Sequence, residues 1–127
     1  MKIHGIGCDL VEVARLQALY ARYGEKLLTR LLTPQEIEQA MRQSSPVPRL
    51  AKYVAAKEAA FKALRVGHSN NLSWQHFEVR YDAPTGAPLL LLHGSARALL
   101  PKRTQLHLSL SDTDAHAMAY VVIEVAD

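Results

Sequence analysis

The sequence predicts an α+β fold in one small domain, residues 1–127. Three observations carry this. Helical spacing of apolar residues fills the first half of the chain, whereas strict alternation takes over in the second. Hydrophobic residues make up 49% and charged residues 21%, a balance that suits a packed core rather than a disordered or coiled-coil chain. A length of 127 residues is enough for one core and short for two.

The elements follow in order. Residues 2–10 are short, apolar in alternate places and contain Gly5 and Gly7, which reads as a strand that lets backbone or ligand approach closely. Residues 11–23 read as a helix. Gly24 is a natural break after it, and the row would continue through Lys26 and Arg30 only if the helix did. Thr33-Pro34-Gln35-Glu36 supplies an N-cap, a proline at the first helical position and a capping glutamate. The run Ser44-Ser45-Pro46-Val47-Pro48 marks a loop, and residues 49–66 form an alanine-rich helix closed by Gly67. Phe77, Val79 and Tyr81 alternate with polar residues, then Ala83-Pro84-Thr85-Gly86 turns the chain into the apolar run 89–92, giving a β-hairpin. Residues 95–100 suit a short helix. Leu106, Leu108 and Leu110 define a half-buried strand, and the more continuously apolar segment 117–125 is predicted to be a central one.

Composition also excludes functions. The longest apolar run is far below the roughly 18 residues that cross a bilayer. No export signal precedes Cys8, and a single cysteine can form neither an internal disulfide nor a paired-cysteine zinc site, so a cytoplasmic location is expected. The net charge of +3 is modest and by itself suits an anionic ligand, an acidic partner or nucleic acid equally, but aromatic residues are only 6% and basic and aromatic residues do not interleave, which argues against nucleic-acid stacking modules. Arg15 and Arg22 fall within about 20° of each other around a helix, beside an apolar stripe of Leu16, Leu19, Tyr20 and Tyr23. On spacing alone that row reads as a solvated charged face.

Three polar residues invite chemistry. Asp9 follows Gly5-Ile6-Gly7-Cys8, where it is either a helix N-cap or one of the one or two carboxylates that Mg2+ takes from protein. Glu58 and Lys62 stand four apart on the alanine-rich helix, in the favourable order for a surface ion pair. The small residues Ala55, Ala56, Ala59, Ala60 and Ala63 around them permit another element to come close. Lys57, about 100° round the helix, is expected to face solvent. No phosphate-binding glycine loop and no zinc motif occurs, and Ser109 or Ser111 with His107 or His116 makes only an unspecific hydrolase pairing.

In combination, Gly5-Ile6-Gly7-Cys8-Asp9-Leu10, the Arg15 helix, Leu31-Leu32-Thr33-Pro34-Gln35-Glu36, the helix segment 55–64, Leu72-Ser73-Trp74, Gly86-Ala87-Pro88 and Leu108-Ser109-Leu110-Ser111 resemble the bacterial holo-acyl-carrier-protein synthases, nearly end to end. The resemblance implies the phosphopantetheinyl transferase fold, helices packed on an antiparallel sheet, and a subunit that assembles as a homotrimer with active sites between chains. It implies transfer of 4'-phosphopantetheine from coenzyme A to a serine of an apo acyl carrier protein, with 3',5'-adenosine bisphosphate released. Asp9 and Glu58 match the acids that hold Mg2+. Lys62 matches the lysine beside the coenzyme A phosphates, and Arg15 and Arg22 match the basic helix that docks the carrier. The serine's proton would pass to Glu58 or to a water on the metal.

Lys62, Arg65, Gly67 and Asp112 are the expected coenzyme A contacts. Three positions depart from the family's pattern: Asp112 replaces a common histidine, Tyr53 a common arginine, and Arg65-Val66-Gly67 a Gly-Thr-Gly closure. They keep open a second reading, an impaired homologue that binds coenzyme A or a carrier without transfer.

Overall fold

The structure, a computed structural model, describes residues 1–67 and 71–126. In chain order the elements are β1 (Lys2–Glu12), α1 (Val13–Tyr23), α2 (Glu25–Leu31), α3 (Pro34–Met41), α4 (Val47–Leu64), β2 (Phe77–Tyr81), β3 (Pro88–Leu92), α5 (Gly94–Ala98), β4 (Thr104–Asp112) and β5 (His116–Val125), with a 3-10 turn at Trp74–His76 before β2. β1, β5 and β4 form an antiparallel sheet with β5 in the middle, and β2 and β3 form the hairpin. The central place of β5 follows from its pattern: Ala117, Ala119, Val121, Ile123 and Val125 are all buried on the side where α4 packs.

α4 is the axis of the fold. Tyr53, Ala55, Ala56, Ala59, Ala60 and Ala63 are fully buried, so this helix is covered on most of its circumference rather than along one stripe. It runs from 47 to 64 rather than from 49 to 66, because Pro46 and Pro48 suit a helix start. Its end comes at Arg65, which takes the left-handed conformation (φ 61°) in place of the expected Gly67. A side chain there costs about 1 kcal/mol relative to glycine.

β1 outlasts its expected end at Leu10. Val11 and Glu12 pair with Ala117 and His116, so α1 begins at Val13 and not at Val11. Gly24 does break the helical row: at φ 59° and ψ −137° it turns the chain, and α2 restarts in a new phase. α3 carries the full capping box, with the Thr33 hydroxyl accepting from the Glu36 N–H and the Glu36 carboxylate accepting from the Thr33 N–H, which contributes about 1 kcal/mol.

Candidate active site

Alternation along β1 puts Gly5, Gly7, Asp9 and Val11 on the side of the sheet that faces α4. Gly5 and Gly7 are glycines for a steric reason. A Cβ on Gly7 would stand 1.9 Å from the Ala59 carbonyl oxygen, and one on Gly5 would stand 2.0 Å from that of Ala63. The bare strand therefore lies directly against the alanine side of α4, and the carboxylate of Asp9 reaches the helix one step beyond the glycines.

Asp9, Glu58 and Lys62 converge there. Asp9 is a strand residue, which removes the N-cap alternative; the cap position of α1 is Glu12 and makes no side-chain cap bond. The Lys62 ammonium donates to Asp9 Oδ1 at 3.1 Å and to the Cys8 carbonyl at 3.0 Å, so its ion pair is with the strand and not the surface pair with Glu58 that helical spacing suggests. Glu58 lies within hydrogen-bonding reach of Asp9. Burial, then that hydrogen bond and the charge of Asp9, push its carboxyl up to about 7. The second oxygen of Asp9, Oδ2, is buried and receives no hydrogen bond among the described residues.

Two adjacent carboxylates with an orphaned oxygen suit a shared proton or a cation, beyond the charge that Lys62 already supplies to Asp9. Mg2+ fits this donor set because it takes one or two carboxylates and completes its shell with water and phosphate. A pH dependence follows. Below about 7 the Glu58 carboxyl holds its proton, so a cation must displace it, and binding strengthens as pH rises until the proton is gone. Calorimetric titration with Mg2+ should show affinity rising up to roughly tenfold per pH unit below neutrality and levelling above it. A flat response would contradict the shared proton.

Glu58 stands where two cavities meet. The larger, about 980 Å³, has Arg15, Lys26 and Arg30 over an apolar floor of Leu16, Leu19 and Leu27. The smaller, about 470 Å³, is lined by Lys57, Phe61, Lys62, Leu72, Trp74 and Phe77. Glu58 and Trp74 border both. The break at Gly24 is what brings Lys26 and Arg30 to the cavity on α2, while Arg22 turns over the Tyr23 ring at 5.2 Å. Arg15 thus shares the larger cavity with Glu58, and Arg22 does not line it.

The remaining site expectations are dispersed. Arg65 packs its stem beside Gly5 at the far end of the strand–helix contact, and exposed Gly67 follows it. Asp112 lies level with Val11 two strands away and faces Lys52 at 3.7 Å. Tyr53 is buried, and His107 is directed to Glu124 at 2.6 Å rather than to a serine.

The expectation for Lys57 is overturned. It is 1% exposed, and its ammonium donates to Glu36 Oε1 (2.7 Å) and to the carbonyls of Trp74 (3.0 Å) and Phe77 (2.6 Å). Burial lowers its pKa from the ordinary lysine value, with Glu36 opposing that shift. Helical phase misjudged it because α4 has core on nearly every side. Glu36 is likewise more than a cap, since its other oxygen accepts the Val79 N–H at 2.7 Å.

The sequence model of the 4'-phosphopantetheinyl transferase superfamily matches residues 5–121. A holo-[acyl-carrier-protein] synthase of Alkalilimnicola ehrlichii is 47% identical over 128 aligned positions, covering 98% of this chain and 99% of that protein. Among solved structures, the holo-[acyl-carrier-protein] synthase of Neisseria meningitidis superposes with a TM-score of 0.83 at 32% identity, over 97% of this chain and 99% of that one. That of Bacillus anthracis, in complex with CoA (3',5'-ADP), gives 0.81 at 31% identity over 98% of each chain.

Proposed function

The chain belongs to the 4'-phosphopantetheinyl transferase superfamily, and from that premise we propose how its residues move the phosphopantetheine arm of coenzyme A onto a serine of an acyl carrier protein. The observation that carries the reading is the meeting of Asp9 and Glu58 beside Lys62, at the junction of the two cavities.

The carrier's serine oxygen attacks the phosphorus that bears the pantetheine arm. The pyrophosphate bond breaks, and 3',5'-adenosine bisphosphate leaves with the bridging oxygen. Asp9 and Glu58 would hold Mg2+, which supplies charge neutralisation at the pyrophosphate. Lys62, fixed by Asp9 and the Cys8 carbonyl but still half-exposed, offers its remaining N–H to a phosphate oxygen. The serine's proton would pass to Glu58, through the carboxylate oxygen that the metal leaves free, or to a water beside it. Arg65, Gly67 and Asp112 lie apart from this cluster within one chain, and we assign them to contacts with the nucleotide end of coenzyme A when chains assemble. Release of 3',5'-adenosine bisphosphate from coenzyme A, dependent on both Mg2+ and an apo carrier, tests the reading; release without a carrier would make the chain a hydrolase instead.

Arg15, Lys26 and Arg30 on the wall of the larger cavity suit an acidic carrier, with Arg22 further along α1 outside that cavity. Arg15→Glu should raise the KM for the carrier about tenfold or more and leave that for coenzyme A unchanged. Steady-state kinetics with each substrate varied in turn checks this, and a selective loss of coenzyme A affinity would contradict the role.

Assembly as a homotrimer is supported by the open face of the three-stranded sheet. Ile6, Leu10, Met118 and Tyr120 share that face and are 57%, 62%, 40% and 43% exposed, an apolar patch that calls for cover. Leu10→Glu should yield monomers in analytical ultracentrifugation and lower activity with them, whereas an unchanged trimer would remove the sheet face as the interface. No helix among the described residues is long and apolar enough to cross a membrane. The free, exposed thiol of Cys8 supports a cytoplasmic setting.

A further inference from the structure

We propose that Lys57 is a positioning residue for the pantetheine arm: its buried ammonium holds the 3-10 turn at Trp74–His76 as a rigid partition between the two cavities. The inference rests on the transferase reading and takes the smaller cavity as the slot for the arm.

An ammonium has three protons, and Lys57 spends them on three acceptors, Glu36 Oε1 and the carbonyls of Trp74 and Phe77. Two of the three are backbone atoms that bracket the turn. The other end of the bond network is equally fixed, because Glu36 also accepts from Thr33 N–H at 2.9 Å and Val79 N–H at 2.7 Å. From the opposite side, the Gln75 amide donates to the carbonyls of Thr29 (2.8 Å) and Arg30 (2.9 Å) at the end of α2. The turn is thus tied to α4 and α3 on one flank and to α2 on the other. Trp74 at its head borders both cavities, and Phe77 at its foot borders the smaller.

Core stability alone does not call for a charge at this position. The ammonium lies beside two buried carboxylates, Glu36 and Glu78, and a buried ion pair is commonly no better for stability than apolar residues of the same size. Its distinctive effect is directional: it aims two carbonyls at one point and so sets the width of the slot. Pantetheine is a flexible chain whose ordering opposes binding, and a preformed slot reduces that cost. The phosphoryl step at Asp9 and Glu58 does not use the partition. Lys57 therefore governs how tightly coenzyme A binds, and the turnover of bound substrate is largely independent of it.

The test compares two ligands that differ by the phosphopantetheine group, coenzyme A and 3',5'-adenosine bisphosphate, on the full chain with Mg2+ and saturating apo carrier. The double variant Glu36→Gln/Lys57→Met removes both charges together, and Trp74→Ala removes the partition's side chain while leaving the buried pair intact. Each should raise the KM for coenzyme A about tenfold, change kcat by less than about threefold and leave inhibition by 3',5'-adenosine bisphosphate at the wild-type value. Trp74 is the chain's single tryptophan, so its emission should shift when coenzyme A binds the wild type and lose that shift in the double variant. Equal weakening of both ligands would mean general damage and overturn the proposal, as would a folded double variant with wild-type kinetics. If the double variant does not fold, Trp74→Ala decides: selective loss of coenzyme A affinity upholds the partition, and any other result overturns it. Wild-type protein inactive in the same assay would instead remove the transferase reading.

Discussion

Glu58→Gln should lower kcat/KM for transfer by about three orders of magnitude or more and leave the fold intact, because the proposed mechanism makes Glu58 both a metal ligand and a proton acceptor. A neutral amide is a poor partner for Mg2+, so the variant should also lose its response to added metal. The fold has no need of the charge. Glu58 is only half-buried, and its raised carboxyl pKa means that the folded state prefers the protonated form. The sign of the pH effect follows from this. A carboxyl raised from its ordinary 4.5 to about 7 favours folding at low pH, and that advantage disappears as pH climbs through neutrality. Without metal, the glutamine variant should therefore melt no lower than wild type at mildly alkaline pH. Melting curves with and without Mg2+ check this: the metal should raise the wild-type midpoint and leave the variant's alone. Near-normal turnover in Glu58→Gln would refute the assignment.

Gly7→Ala should be the most damaging single-methyl substitution in the strand. The added carbon would stand 1.9 Å from the Ala59 oxygen, 2.8 Å from its carbonyl carbon and 3.0 Å from the Ala63 nitrogen. All three are backbone atoms of the central helix, so no side chain can swing aside. Either the strand or α4 must move, at a cost on the order of 3 kcal/mol or more, which lowers the melting temperature by roughly 10 °C or more in a domain of this size. Gly86→Ala is the informative control. Gly86 has open space around it but a φ of 73°, so its replacement brings conformational strain without overlap, a cost of about 1 kcal/mol. A Gly7 variant no less stable than the Gly86 variant would show that the close approach is not needed. Whatever fraction of Gly7→Ala folds should be nearly inactive, since Asp9 lies two residues along the displaced strand.

Much of this arrangement is legible in the sequence because it rests on local rules. The glycines of β1 and the alanines of α4 each announce a close approach, and they turn out to approach each other. The capping box at Thr33 and Glu36 and the central place of β5 follow from spacing and apolar continuity alone. Asp9 and Glu58 are individually ambiguous. Paired with the flanking motifs they identify the family, and the structure brings them within reach of each other across the strand–helix contact.

What spacing misses is the work of distant partners. A helical wheel assigns Lys57 to solvent because it assumes one apolar stripe, whereas α4 is enclosed by β1, β5 and β2 and has almost no solvent side. Its partners Glu36, Trp74 and Phe77 are between 17 and 21 positions away in sequence. Lys62 likewise leaves its helical neighbour for Asp9, 53 positions earlier, which no i,i+4 rule can foresee. The basic row of α1 ends at Gly24, so Lys26 and Arg30 join Arg15 through a turn rather than through a continuous helix. The cavities themselves have no sequence signature, because each is enclosed by elements from both halves of the chain.

The most direct test of the central claim is the intact mass of an apo acyl carrier protein after incubation with this chain, coenzyme A and Mg2+. The carrier should gain the mass of one phosphopantetheine arm, and it should gain nothing when Glu58→Gln replaces the wild type or when Mg2+ is chelated. An unchanged mass across several carriers with folded wild-type protein, or full modification by the Glu58→Gln variant, would contradict the assignment of this site.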